Sequence, residues 1–145
     1  MSWDAGWPPL RKLSMHDVNR WCITKHSGIS DKDLVRTRIS EQRELHLPGY
    51  FVAVDHATHS VVLSVRGTFS MEDIITDLIC DSTSFLGGEA HRGLSQSTEM
   101  LLADSKDEIL HQLKLNEGYR LVICGHSLGA GVCIVLQGSG FWTLA

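Results

Sequence analysis

An α/β fold is predicted for this chain of 145 residues from four stretches and their order. The apolar run Leu121-Val122-Ile123-Cys124 leads into Gly125-His126-Ser127-Leu128-Gly129 and then into the helix-like Ala130-Gly131-Val132-Cys133-Ile134-Val135-Leu136. Two β-branched runs lie upstream, Tyr50 to Asp55 and Ser60 to Arg66. Between them and the first stretch, Met100, Leu101, Ile109, Leu110 and Leu113 recur at helical spacing. Strand, helix, strand and helix in that order imply a crossover and parallel pairing.

The first ten residues read as a poorly ordered lead-in, with Trp3 and Trp7 free to cover an apolar patch. Ser14 is placed to cap a helix through Val18, Trp21 and Cys22, which Gly28 ends. Ser30 with Asp33 approximates a capping box, so a second helix is expected with Leu34, Val35 and Ile39 inward and a wet charged end. Pro48-Gly49 breaks that pattern, and two regions are expected: helical residues 1–47 and an α/β domain over residues 48–145. The two β-branched runs form a hairpin across His56-Ala57-Thr58-His59. Asp55, His56 and His59 are read as a polar turn and not as metal ligands. Ser70 and Asp73 open a short helix carrying Ile74, Ile75, Leu78 and Ile79, and a loop holds Gly87-Gly88. A long helix from about Leu94 to Leu115 is stopped at Asn116-Glu117-Gly118.

Composition narrows the function classes. With 43% hydrophobic and 21% charged residues the chain is an ordinary globular one, and a net charge of −4 without a basic run excludes the electrostatics of nucleic-acid binding. The four cysteines form no C-x-x-C pair, so neither a zinc site nor a disulfide framework is expected, and buried thiols are. Residues 1–20 lack the apolar segment of a signal peptide, which points to the cytoplasm. Leu121 to Ala145 holds no charged residue, but its glycines divide it into a strand and a helix of soluble-core length rather than a membrane span. The glycine spacing around Gly125 fits neither a dinucleotide fingerprint nor a phosphate loop, and no cofactor is expected.

Gly125-x-Ser127-x-Gly129 has the spacing of a nucleophile elbow, a strained strand-to-helix turn whose flanks must be glycine to avoid collision. Ser127 is the candidate nucleophile, against the plainer possibility of a serine that only caps the next helix. A serine needs a base to take its proton and donors for the developing oxyanion. The Leu128 N–H, first of the helix, is one candidate donor, and the strand end Arg66-Gly67-Thr68 is the other. His126 adjoins the serine but is expected to pack beneath the turn, and Cys124 and Cys133 to lie in the core.

Pro48-Gly49-Tyr50-Phe51-Val52-Ala53-Val54-Asp55-His56, then Ser64-Val65-Arg66-Gly67-Thr68, Asp73 with Thr76-Asp77-Leu78, His91-Arg92-Gly93 and Gly125 to Gly129 follow one another in the chain. In that order they resemble the fungal-type (class 3) lipases, and among these the diacylglycerol lipases, over about residues 48–137. The resemblance implies a partial α/β-hydrolase fold, acylglycerol or other lipid ester substrates, and peripheral contact with membranes. It implies that Thr68 and Leu128 line the oxyanion hole, that Phe69 to Leu78 corresponds to the lid region, and that Asp73, Asp77 and His91 are structural. In such hydrolases an acidic residue and then a histidine follow the serine, yet Leu128 to Ala145 contains no Asp, Glu or His. A triad is set by geometry and not by order, which leaves an upstream histidine such as His91 as the alternative base. The chain is therefore expected to be the N-terminal portion of a class 3 lipase, weakly active or inactive by itself. The alternative is a non-catalytic pseudoenzyme fragment that binds lipid or a partner.

Overall fold

The computed structural model describes residues 14–38, 47–67, 82–85 and 88–140. Helix α1 (Met15–Ser27) begins where Ser14 expected it. The Ser14 hydroxyl accepts from the Asp17 N–H while the Asp17 carboxylate accepts from the Ser14 N–H, a reciprocal capping box. Gly28 closes the helix at φ 74°, a left-handed conformation that glycine adopts without a Cβ penalty.

The expected second helix is not formed. Ser30 and Asp33 do interact, with the Ser30 hydroxyl 2.6 Å from the Asp33 carboxylate, but they close a single turn. Beyond it the backbone extends into β1 (Arg36–Arg38), antiparallel to β2 (Tyr50–Asp55) with Arg36 opposite Val52. The Val35 N–H donates to the Val52 carbonyl and the Val54 N–H to the Asp33 carbonyl, so β2 captures this backbone and overrides a local helical signal. The expected helix opened by Ser70 lies outside the described residues, as does Ile39.

β2 and β3 (Ser60–Val65) form the expected hairpin, and β6 (Arg120–Gly125) adds to β3 in parallel, giving the sheet order β1-β2-β3-β6. A second hairpin, β4 (Ser82–Phe85) with β5 (Gly88–His91), stands where only a loop was expected. The crossover from β3 to β6 runs through α2 (Arg92–Leu115), and α3 (Leu128–Gly138) follows β6.

Alternation along the strands decides which face the helices cover. Val61, Leu63 and Val65 of β3 sit in register with Val54, Val52 and Tyr50 of β2 and with Leu121, Ile123 and Gly125 of β6. That face forms the core with Leu101 and Ile109 of α2 and Val132 and Leu136 of α3. Small polar residues let the helices approach closely: the Thr98 hydroxyl donates to the Leu94 carbonyl at 2.8 Å and Ser105 to the Leu101 carbonyl at 2.7 Å, so both stay buried with their hydroxyls satisfied.

Asp104 of α2 ties that helix to the sheet. Its carboxylate accepts from the Tyr50 hydroxyl at 2.6 Å and from Arg36 at 2.7 Å, with Arg38 at 3.4 Å. Burial, reinforced by the Asp104 carboxylate, pushes the Tyr50 phenol well above its ordinary pKa, so it stays a donor. Replacing Asp104 by alanine leaves a buried phenol without its acceptor and is expected to cost about 2 kcal/mol. Asp104→Asn keeps an acceptor and should cost less. Urea denaturation measures both, and an Asp104→Ala variant as stable as wild type would show the network to be idle.

Candidate active site

β6 enters the turn at Gly125, opposite Val65 at the end of β3. The backbone then turns at Ser127 with φ 55° and ψ −125°, one of two positive-φ residues other than glycine among those described. This conformation is strained for any residue with a Cβ, and the surroundings hold it there. A side chain at Gly125 would come within 2.5 Å of the Gly129 carbonyl and 2.9 Å of the Ala130 nitrogen. At Gly129 it would run into the Val65 carbonyl oxygen and the Arg66 backbone. The strand therefore meets the first turn of α3 at a distance only paired glycines permit.

Ser127 occupies the N-cap of α3, yet its side chain makes no capping hydrogen bond and the residue is exposed. A serine serving the helix would have spent its hydroxyl on a free N–H of the first turn. Here the turn is closed by backbone alone: Gly129 donates to the His126 carbonyl at 3.0 Å, and Ala130 and Gly131 donate to the Ser127 carbonyl at 2.9 and 3.3 Å. The Leu128 N–H, first of the helix, stands outside that set.

The end of β3 lies directly against this turn. A Cβ built on Gly67 would sit 2.5 Å from the His126 carbonyl oxygen and 3.2 Å from the Ser127 Cβ. Spacing along the chain carries no signal for that contact, because it spans sixty residues and arises from the parallel register of β3 and β6. Thr68, Asp73, Asp77 and the whole Phe69 to Leu78 segment lie outside the described residues. His91 closes β5, immediately before α2.

His126 and Cys124 depart from expectation. Neither is packed away: both are exposed and border a cavity of about 730 Å³ on the sheet face turned away from α2 and α3. Asn19, Cys22 and Ile23 of α1 line its far side, with Phe51 and Ser64 from the sheet. The cause is strand alternation, since Ile123 takes the helix-covered side and Cys124, opposite Ser64, must take the other. Cys133 in α3 is half-buried, and burial, with Cys124 nearby, pushes its thiol up to about 11. Maleimide at neutral pH should therefore modify Cys124 at least about tenfold faster than Cys133, since the thiolate is the reacting form. Peptide mapping over time reads the order, and equal rates would contradict the burial described here.

At the other end of the strands, His56 meets the Tyr119 hydroxyl at 2.8 Å and lies 3.5 Å from Asp33, while the Asp55 carboxylate accepts from the Thr58 hydroxyl and the Ala57 N–H. These residues serve the hairpin turn and the entry to β6, far from Ser127 along both strands.

The family model for lipase (class 3) matches residues 62–138, more than half of the chain, from β3 through α3. The chain belongs to the class 3 lipase family. Diacylglycerol lipase-beta of Mus musculus is 35% identical over 129 residues, covering 83% of this chain but 19% of that protein. Secreted mono- and diacylglycerol lipase A of Penicillium cyclopium is 32% identical over 103 residues, covering 63% of this chain and 32% of that one. Among solved structures, a mutant form of MDLA from Penicillium cyclopium superposes with a TM-score of 0.64 at 28% identity, over 72% of this chain and 39% of that one. The partial α/β-hydrolase reading of the fold holds, and this class 3 lipase-family chain spans about a fifth of the length of the mouse relative. Among the described residues no helix is long and apolar enough to cross a membrane.

Proposed function

We propose that the chain carries the nucleophile half of a serine hydrolase acting on acylglycerol or related lipid esters. The observation that supports it most is Ser127, held at φ 55° by glycine contacts, exposed and free of any capping duty, within a matched class 3 lipase segment. The names of the relatives, a diacylglycerol lipase and a mono- and diacylglycerol lipase, point to the substrate class. In the proposed reaction the Ser127 Oγ bonds to the ester carbonyl carbon as its proton passes to a water molecule. The carbonyl oxygen takes up the negative charge and is met by the Leu128 N–H and by Thr68. Collapse of this intermediate breaks the carbon–alkoxide bond, the alcohol departs with a proton, and water then frees the acyl group. Peripheral contact with a lipid surface belongs to the same reading, since the substrate is itself a membrane component.

The proton transfer sets the rate. No Asp, Glu or His follows Ser127 in these 145 residues, so taken by themselves they are expected to react slowly. Loss of the general base costs several orders of magnitude in turnover even where the oxyanion donors remain. A fluorophosphonate probe, which forms an Oγ–phosphorus bond as fluoride leaves, tests both parts of the reading. Slow labelling that disappears in Ser127→Ala, with little ester turnover, is the expected result. Labelling indifferent to Ser127→Ala would sink the nucleophile assignment, and rapid stoichiometric labelling with rapid turnover would sink the slow-reaction claim.

A further inference from the structure

We propose that the free edge of β6, with the adjoining side of α3, forms an interface with a second copy of this chain, the two β6 strands pairing antiparallel about a two-fold axis. This is independent of the role assigned to Ser127. Among the described residues β6 ends the sheet and none of its residues is buried, whereas β3 beside it is buried along its helix-covered face. Edge strands are usually blunted by charge, proline or a bulge. β6 has none of these after Arg120, whose Nε lies 3.4 Å from the Ser60 hydroxyl. From Leu121 through Gly140 there is no Asp, Glu, Lys or Arg, so the strand edge and the helix after it are continuous and uncharged, with Ile134 71% exposed.

The backbone fixes what this edge accepts. The Arg120 N–H donates to the His59 carbonyl at 3.1 Å and so points toward β3; with a period of two, the N–H and C=O of Leu121 and Ile123 point the other way. A two-fold normal to the sheet through Ile123 sets Ile123 against Ile123 of the second copy, and Leu121 against Gly125 of the second copy. Outward-facing backbone then meets outward-facing backbone, each such pair exchanging two hydrogen bonds, and the helix-covered faces of both sheets stay on one side. The helices select a copy of this chain over an unrelated strand. Val132 and Leu136 of α3 share the core with Val61, Leu63, Leu121 and Ile123, so α3 lies over both β3 and β6. The two-fold therefore sets the two α3 axes two strand spacings apart, about 10 Å, where helices pack at about 8–10 Å. Gly131 and Val132 meet α2 at Leu94 and Thr98, which leaves Ala130, Cys133 and Gln137 on the side turned to the second copy. An unrelated strand would satisfy the β6 backbone but leave that side of α3 in water.

Sedimentation equilibrium from about 1 µM to about 1 mM protein should show the mass rising from 16.1 kDa to twice that and no further, because a two-fold interface closes on itself. Over the same range, hydrogen exchange at the Leu121 and Ile123 amides should slow at least about tenfold, while the Val122 amide, directed at β3, changes little. Val122→Lys puts a charge on the edge and should weaken association at least about tenfold. Should that variant fail to fold, Gln137→Glu at an exposed position of α3 replaces it; like charges across the two helices should weaken association by a similar factor with little change in Tm. A mass that stays at the monomer value at every concentration overturns the proposal. So do growth beyond the dimer, a dimer without added protection at Leu121 and Ile123, and association indifferent to the folded variant.

Discussion

Replacing Ser127 by glycine is expected to raise the stability of the protein by about 1 kcal/mol while abolishing its reaction with fluorophosphonate. The backbone at this residue, φ 55° and ψ −125°, is of a kind that costs a residue with a Cβ about 1–3 kcal/mol. Glycine removes that strain and gives back about 0.5–1 kcal/mol through the greater freedom of the unfolded chain. Ser127→Ala isolates the hydroxyl, since it keeps the Cβ and therefore the strain. The side chain is exposed and caps nothing, so alanine should leave stability within about 0.5 kcal/mol of wild type. Chemical denaturation of the three proteins gives the ranking directly. A glycine variant no more stable than the alanine variant would mean that the turn stores no strain.

The second large effect comes from Gly125. Alanine there forces a Cβ to within 2.5 Å of the Gly129 carbonyl carbon and oxygen, both backbone atoms of the first turn of α3. Strand and helix must then separate, and the expected loss is about 3 kcal/mol or more, at the upper end for overpacking. Gly138 supplies the opposite sign. It ends the same helix, a methyl group added to it would meet nothing within 4 Å, and its φ is not positive, so Gly138→Ala should stabilise by up to about 1 kcal/mol. Thermal midpoints moving in the same direction for both variants would refute the claim that close approach, and not glycine as such, is what position 125 requires.

Fold class and elbow were both readable from local patterns. β-branched runs in Tyr50 to Asp55 and Ser60 to Val65 marked a hairpin, and helical spacing between Leu94 and Leu115 marked the crossover, because the two strands pair across one short turn and the helix satisfies its own backbone. Residues 34–38 were misread for the converse reason. Their extended backbone is stabilised by β2, about fifteen residues away, and a capping pair such as Ser30 and Asp33 reports only on the turn it closes. The β4–β5 hairpin was missed because its short strands carry no run of β-branched residues.

By itself the sequence determined that a strand ends in Gly-x-Ser-x-Gly, that a helix starts there, and that no acidic residue or histidine follows Ser127 within these 145 residues. These are matters of residue type and order. Only the tertiary structure decided that Ser127 is strained and uncommitted, that Asp104 gathers Tyr50, Arg36 and Arg38, and that Gly67 rests against the nucleophile. Each of those depends on two segments brought together by the register of a sheet or the packing of a helix on it, and no local pattern encodes the distance between them.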